Sequence, residues 1–141
     1  MKQFITWLSL LLTSTALFAG LGCGYLGVTL INDSKYDCEL RNITLKNGGN
    51  YAVGFPPANL AKGTTSPTFY LQQTMEGIRI KLDYRCEKKV VSFESQQGTC
   101  FFGAGNIHAF PDIANDLSTD PQFVIGSYWS SRPGEMTWRI Y

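Results

Sequence analysis

The sequence is poor in histidine, and this shortage argues against most chemistry that uses a general base or an activated nucleophile. The one histidine, His108, is followed four residues later by Asp112, an acid able to orient an imidazole. No G-x-S-x-G motif supplies the nucleophile that such a pair would activate. We therefore expect the protein not to be an enzyme, and a small hydrolase using His108 is the least favoured alternative.

An excess of charge of either sign is also missing. The first 22 residues contain a single charged residue, Lys2, and the rest of the chain has 11 basic residues against 11 acidic ones. Proteins that bind nucleic acid show a basic stripe and a high isoelectric point. The only adjacent basic pair, Lys88 and Lys89, is typical of a solvated turn. Nucleic acid is therefore excluded as a partner.

Residues with the spacing of known metal sites are also absent from the sequence. The four cysteines form no C-x-x-C pair, and one histidine cannot complete a common zinc site of cysteine and histidine. A group of oxygen ligands has the wrong spacing for an EF-hand and matches helix-start and turn chemistry instead: Asp112, Asn115, Asp116 and Asp120. We expect neither a metal nor another cofactor.

The N-terminal residues 1–22 have the pattern of an export signal. Lys2 gives a positive start, residues 4–12 are apolar except at two positions, and residues 14–22 are mostly small. The apolar stretch is shorter and more polar than the roughly 20 apolar residues of a membrane-spanning helix. Small residues permit cleavage between Ala16 and Gly22, which leaves residues 23–141 as one secreted or periplasmic domain.

Cys23 gives the signal a second interpretation. Cleavage after Gly22 resembles a bacterial lipobox, in which the following cysteine is lipidated and tethers the protein to a membrane, although Gly20 stands where that motif usually has leucine. Without lipidation, export makes two disulfides the expected state. The preferred bridge is Cys86–Cys100, because it joins the end of one predicted strand to the start of the next but one and closes a loop of about 15 residues worth roughly 3 kcal/mol. Proximity then makes Cys23–Cys38 the second bridge, with a buried free thiol at Cys38 as the alternative. Lipidation of Cys23 would leave an odd cysteine.

The chain after the signal shows the period of two that is typical of half-buried strands. Residues 77–86 show it best, because five apolar side chains alternate there with charged ones. In residues 36–45 the apolar positions change parity, which indicates a β-bulge near Arg41 and Asn42. Further strands are predicted at residues 25–31, 51–55, 68–72, 90–94, 99–103, 122–129 and 136–141, and one short helix at residues 111–117.

About eight or nine short strands without a long helical pattern predict an all-β fold. We expect a single antiparallel β-sandwich, linked by disulfides, with a barrel as the alternative. Prolines make residues 55–67 a surface connection, not a central strand. Two N-x-S/T sequons begin at Asn32 and Asn42 and are acceptors only in a pathway that glycosylates.

Three parts of the chain resemble the aegerolysins and related small actinoporin-like proteins. They are residues 28–34 (VTLINDS), residues 56–63 (PPANLAKG) and the strand after Gly77. The resemblance implies a single β-sandwich that binds membrane lipid and that in some members forms pores with a partner. The chain differs from typical aegerolysins in its signal and in its neutral charge balance.

A binding surface on such a fold needs aromatic side chains on end loops, since tyrosine and tryptophan combine an apolar body with a polar tip. The best candidates are Tyr128, Trp129 and Arg132, between the last two strands, with Arg132 able to pair with a phosphate or carboxylate. For Trp129 the alternation favours a plain hairpin, in which the ring points into the core and Tyr128 is the better exposed candidate. The inward set of that hairpin is Trp129, Trp138, Phe123, Ile125, Met136 and Ile140.

These features favour an exported, non-enzymatic protein that contacts membrane lipid or a cell-surface ligand through its end loops. The alternative is a small surface or periplasmic lipoprotein that binds or inhibits a partner protein.

Overall fold

The structure, a computed structural model, describes residues 21–46 and 49–141. The predicted signal therefore lies outside the described residues except for its last two positions. The described chain contains strands and turns and no helix. Its strands are β1 (Tyr25–Asn32), β2 (Cys38–Lys46), β3 (Asn50–Val53), β4 (Asn59–Leu60), β5 (Thr64–Thr65), β6 (Phe69–Gln72), β7 (Ile78–Cys86), β8 (Lys89–Gln97), β9 (Ile107–Pro111), β10 (Thr119–Val124) and β11 (Gly134–Ile140).

The strands form two sheets that pack as a sandwich, as the alternation of apolar residues predicts. One sheet has the order β10-β11-β1-β6-β3, with β5 also paired to β1, and the other has the order β4-β2-β7-β8-β9. All pairs are antiparallel except that of β1 with β11. The antiparallel β-sandwich expected from sequence is thus confirmed, with one parallel pair where the first and last strands lie side by side and run in the same direction.

The core lies between the sheets and comes from the inward positions of their central strands. In β7 the buried positions recur at every second residue, and the intervening charged residues face away from the core. The largest buried side chain, Trp138, stacks on Phe93 at 4.8 Å between ring centroids and donates its indole N–H to Ser95 Oγ at 2.8 Å. Tryptophan is buried there without an unsatisfied donor.

Local predictions were confirmed in part. The register of β2 against β7 shifts between Leu40 and Asn42, where the parity change predicted a bulge. The predicted strand at residues 99–103 is wrong, since those residues form a connection, and β9 follows at Ile107–Pro111 instead. The helix predicted at residues 111–117 is also wrong, because Pro111 ends β9 and a turn follows it. The proline-rich connection contributes only the two-residue strands β4 and β5.

Both predicted disulfide pairings are wrong, although all four cysteines are bridged. The structure joins Cys23 to Cys100 and Cys38 to Cys86. Cys38 and Cys86 are directly opposed partners of β2 and β7. The nine residues of β8 then carry the chain along the whole sheet, roughly 30 Å at about 3.3 Å per residue. Cys86 and Cys100 therefore lie at opposite ends of the sandwich, which no short sequence separation reveals.

The bridge at Cys23 bears on the lipoprotein alternative. A thioether-linked lipid would need the sulfur atom that is bonded to Cys100. Because one sulfur cannot make both bonds, the structure supports the alternative in which Cys23 is bridged.

Candidate functional site: the loop end

Four described segments meet at one end of the sandwich, and we call them together the loop end: residues 21–24, 73–77, 98–106 and 125–133. The strand register places them there. Tyr25 pairs with Gln72 and Leu26 with Gly134 in one sheet, while Gln97 pairs with both Ile78 and Ile107 in the other. The segments before β1, between β6 and β7, between β8 and β9, and between β10 and β11 therefore share one side of the molecule.

The loop end displays large apolar side chains on three different connections. The exposed fractions are 95% for Met75, 74% for Phe101, 85% for Phe102 and 90% for Trp129. The Phe101 and Phe102 rings meet edge-on with centroids 4.8 Å apart, and Tyr128 meets Trp129 edge-on at 5.4 Å. Single exposed apolar residues are ordinary, but a cluster of this kind marks an interaction surface.

Charge is distributed unevenly between the two ends. The loop end carries two charged side chains, Glu76 and Arg132. Four connections away from it, residues 33–37, 61–63, 87–88 and 112–118, contain eight: Asp33, Lys35, Asp37, Lys62, Glu87, Lys88, Asp112 and Asp116. One side of the sandwich is thus suited to water and the other to an apolar environment.

Two glutamines tie the segments of the loop end together. The Gln73 amide makes two bonds to the backbone of Cys100: its Oε1 accepts from Cys100 N at 2.7 Å, and its Nε2 donates to Cys100 O at 3.1 Å. The buried Gln97 donates to the carbonyl oxygens of Cys23 and Tyr25 at 3.0 and 3.3 Å. These bonds hold the exposed loops on an ordered base.

The base is also closely packed around glycine. An added Cβ on Gly105 would lie 1.9 Å from the carbonyl oxygen of Gly98, and Gly98 N donates to Asn106 O at 2.9 Å. The two ends of the connection from residue 98 to 106 therefore touch through their backbones. This contact closes a compact loop with Phe101 and Phe102 at its exposed part.

The three residues proposed for ligand binding lie outside the hairpin core. Trp129 is 90% exposed, so the hairpin prediction that places it in the core is wrong. The backbones of Ser127 and Arg132 bond to each other at 2.8 and 2.9 Å, which closes a turn beyond the strands with Trp129 near its tip. Tyr128 is 45% exposed, and Arg132 Nη2 donates to Ile125 O at 3.1 Å, which holds the guanidinium beside the turn.

The rest of that core alternative divides between the two strands. The residues of β11 that it named are fully buried, whereas those on or after the edge strand β10 are 48% and 42% exposed. An edge strand covered on one side leaves part of each side chain in water. The buried set is Met136, Trp138 and Ile140, and the exposed set is Phe123 and Ile125.

Sequence reasoning missed Met75, Phe101 and Phe102. Met75 and Phe101 line a shallow groove of about 360 Å³ with Gln73, Thr74 and Thr99. The available signal was composition, since two consecutive phenylalanines cannot both face the core of a strand. Glycines close on both sides favour a loop at that position.

The other candidate sites gather less chemistry. His108 is exposed on β9, and the acid expected to orient it, Asp112, instead accepts from Ala114 N at 2.9 Å and lies 3.9 Å from Lys81 Nζ. Among residues 21–46 and 49–141 no three potential metal-ligating side chains come together. In the same part of the chain, no helix is long and apolar enough to cross a membrane.

The fold and the loop end together define a disulfide-linked β-sandwich with one apolar end. Among solved structures, it is similar to the crystal structure of the lipid binding protein Nakanori, with a TM-score of 0.59 and 7% sequence identity. The match covers 86% of this chain and 72% of that one. At this identity the likeness shows the fold alone. No family model matches the chain, and no curated protein matches its sequence.

Proposed function

We propose that this protein is an exported, non-enzymatic β-sandwich that binds membrane lipid through the loop end. The observation that carries the proposal is the exposure of Met75, Phe101, Phe102 and Trp129 on three neighbouring loops. A soluble surface gains nothing from such a cluster, because each side chain orders water at a cost in free energy. Transfer into the interface of a bilayer removes that cost.

The residue types fit the interface of a bilayer. Tryptophan and tyrosine are enriched at the depth of lipid headgroups, where an apolar ring and a polar tip are both satisfied. In this arrangement Phe101, Phe102 and Met75 enter the outer acyl region, and Trp129 and Tyr128 lie at headgroup depth. Arg132 contacts a lipid phosphate, a group that a guanidinium binds well.

Two further observations support the proposal. The similar solved structure is that of a lipid binding protein. The two disulfides match an oxidising compartment, extracellular or periplasmic, in which a protein meets the outer surface of a membrane.

The test is sedimentation with vesicles of phosphatidylcholine alone and of phosphatidylcholine mixed with phosphatidylserine, phosphatidylethanolamine, or sphingomyelin and cholesterol. We expect binding to at least one composition, and its loss in a variant carrying Phe101→Ser, Phe102→Ser and Met75→Ser. A matched variant carries Ile113→Ser and Phe55→Ser, which replace exposed apolar residues away from the loop end. Failure of the wild type to bind any vesicle, or equal loss in both variants, would contradict the proposal.

A further inference from the structure

The disulfide between Cys23 and Cys100 lies directly beside the two most prominent phenylalanines. Cys100 precedes Phe101 and Phe102, and its partner precedes β1 by two residues. The bridge therefore fixes the start of the phenylalanine loop to the segment that enters the central strand of the other sheet. A covalent link between the sheets sets the position of the loop that carries both rings.

Gln73 also helps to fix the position of Cys100. Its side-chain amide makes two hydrogen bonds to the Cys100 backbone, and its backbone N–H donates to Gly24 O at 2.8 Å. One disulfide and three hydrogen bonds thus hold together Cys23, Gly24, Gln73 and Cys100. The hydrogen bonds compete with water, whereas the disulfide does not.

The two disulfides differ in their access to solvent. Cys38 and Cys86 are 2% and 0% exposed and join paired strands inside a sheet. Cys23 is 5% exposed, but Cys100 is only half-buried and lies in a connection at the end of the molecule. Thiol–disulfide exchange requires a thiolate to reach one sulfur atom, so access determines which bridge reacts first.

We propose that the Cys23–Cys100 disulfide positions Phe101 and Phe102 for membrane contact, and that its selective reduction by a dithiol releases the loop and weakens lipid binding. This inference rests on the proposed function. It also makes the loop end sensitive to the redox state of its surroundings, while the Cys38–Cys86 bridge keeps the sandwich folded.

The exchange balances as a two-electron reduction. A thiolate of the dithiol attacks Cys100 Sγ, the bond to Cys23 breaks, and the Cys23 thiolate takes up a proton. The second thiol of the reagent, as its thiolate, then attacks the mixed disulfide and releases Cys100, which is protonated in turn. The protein gains two thiols and the dithiol becomes a cyclic disulfide.

Reduction of the disulfide weakens binding because it makes the loop less ordered. A loop that is fixed in its bound position loses less conformational entropy when it binds than a loop that must first be ordered. The reduced protein keeps the same apolar side chains, so binding weakens without disappearing. We expect a decrease in vesicle affinity of roughly tenfold.

The first arm of the test follows the bridges without lipid. The native protein is titrated with dithiothreitol in the absence of denaturant, alkylated with iodoacetamide and mapped by peptide mass. We expect Cys23 and Cys100 to be alkylated first and the amides of residues 98–106 to exchange hydrogen faster, while β7 and β8 keep their protection. Alkylation of Cys38 and Cys86 first, or unchanged exchange in residues 98–106, would overturn the inference.

The second arm measures binding of the oxidised and reduced proteins, and of Cys23→Ser and Cys100→Ser, to the vesicle composition that the oxidised protein binds best. Both variants should match the reduced protein and should no longer respond to dithiothreitol. Equal affinity of all forms would refute the link to lipid even if the loop is released. Absence of binding by the oxidised protein would refute the proposed function, and the first arm would still decide whether the bridge positions the loop.

Discussion

Truncation of Trp129 tests the membrane-binding proposal most directly. The side chain is 90% exposed and its ring meets Tyr128 edge-on. Trp129→Ala therefore leaves no cavity and uncovers no core residue. Surface changes of this kind usually alter the free energy of unfolding by less than about 0.5 kcal/mol. The fold stays intact while the largest interfacial side chain is removed.

The expected loss follows from the area of the ring. Aromatic side chains bury roughly 150–250 Å² when fully covered, so half-immersion of Trp129 removes about 100 Å² from water. At about 25 cal/mol per Å² this contributes about 2.5 kcal/mol to binding. Since about 1.4 kcal/mol corresponds to tenfold, the vesicle affinity of Trp129→Ala should fall by about 60-fold.

The assay titrates vesicles against wild type, Trp129→Ala and the control Ile113→Ala, which removes another fully exposed apolar side chain away from the loop end. Tryptophan fluorescence gives a second readout, with Trp138→Phe as background because Trp138 is buried in the core. The Trp129 emission should shift to the blue on binding. An affinity within twofold of wild type, or an equal loss in Ile113→Ala, would refute the reasoning.

Three further predictions concern the scaffold. Gly105→Ala should destabilise the loop end and increase hydrogen exchange in residues 98–106, because its Cβ would overlap the backbone of Gly98; unchanged exchange would show that the contact is dispensable. Burial raises the pKa of Tyr84, whose hydroxyl donates to Pro57 O at 2.8 Å. As the pH rises, the unfolded chain therefore releases this proton before the folded protein does. The free energy of unfolding should fall by about 1.4 kcal/mol per pH unit above about pH 10. Denaturant melts of Tyr84→Phe should show a smaller slope. Asn32 is fully buried, and its amide donates to backbone carbonyls. Asn32→Ala should therefore lower the free energy of unfolding by about 2–4 kcal/mol. The intact mass of protein from a glycosylating host should show no glycan at this sequon.

The fold could be predicted from the sequence because its strands obey a local rule. In β7 the side chains alternate between core and solvent at every residue, so the sequence alone specifies which face is buried. The bulge at Arg41 was visible for the same reason, since an extra residue shifts the parity. These features depend on neighbours along the chain.

Features that depend on distant neighbours were not predicted. The parallel pairing of β1 with β11 joins the two ends of the described domain, and no short pattern marks it. The bridge between Cys23 and Cys100 spans a separation of 77 residues and follows from the same closure. Proximity along the sequence favoured Cys86 for Cys100, but the straight run of β8 separates that pair. Disulfide pairing was thus a question of topology that spacing could not answer.

The position of Cys23 connects the predicted export signal to the loop end. Either predicted cut, after Ala16 or after Gly22, keeps Cys23 in the mature chain, so the bridge to Cys100 is compatible with both. The backbone carbonyls of Cys23 and Gly24 accept hydrogen bonds from Gln97 and Gln73 at 3.0 and 2.8 Å, which fixes the start of the domain among the exposed aromatic loops. The cysteine that resembled a lipid attachment site thus lies at the apolar end of the sandwich, where its disulfide orders the loop that carries Phe101 and Phe102. In the proposed function, contact with lipid is made by the folded loops and requires no covalent lipid at this position.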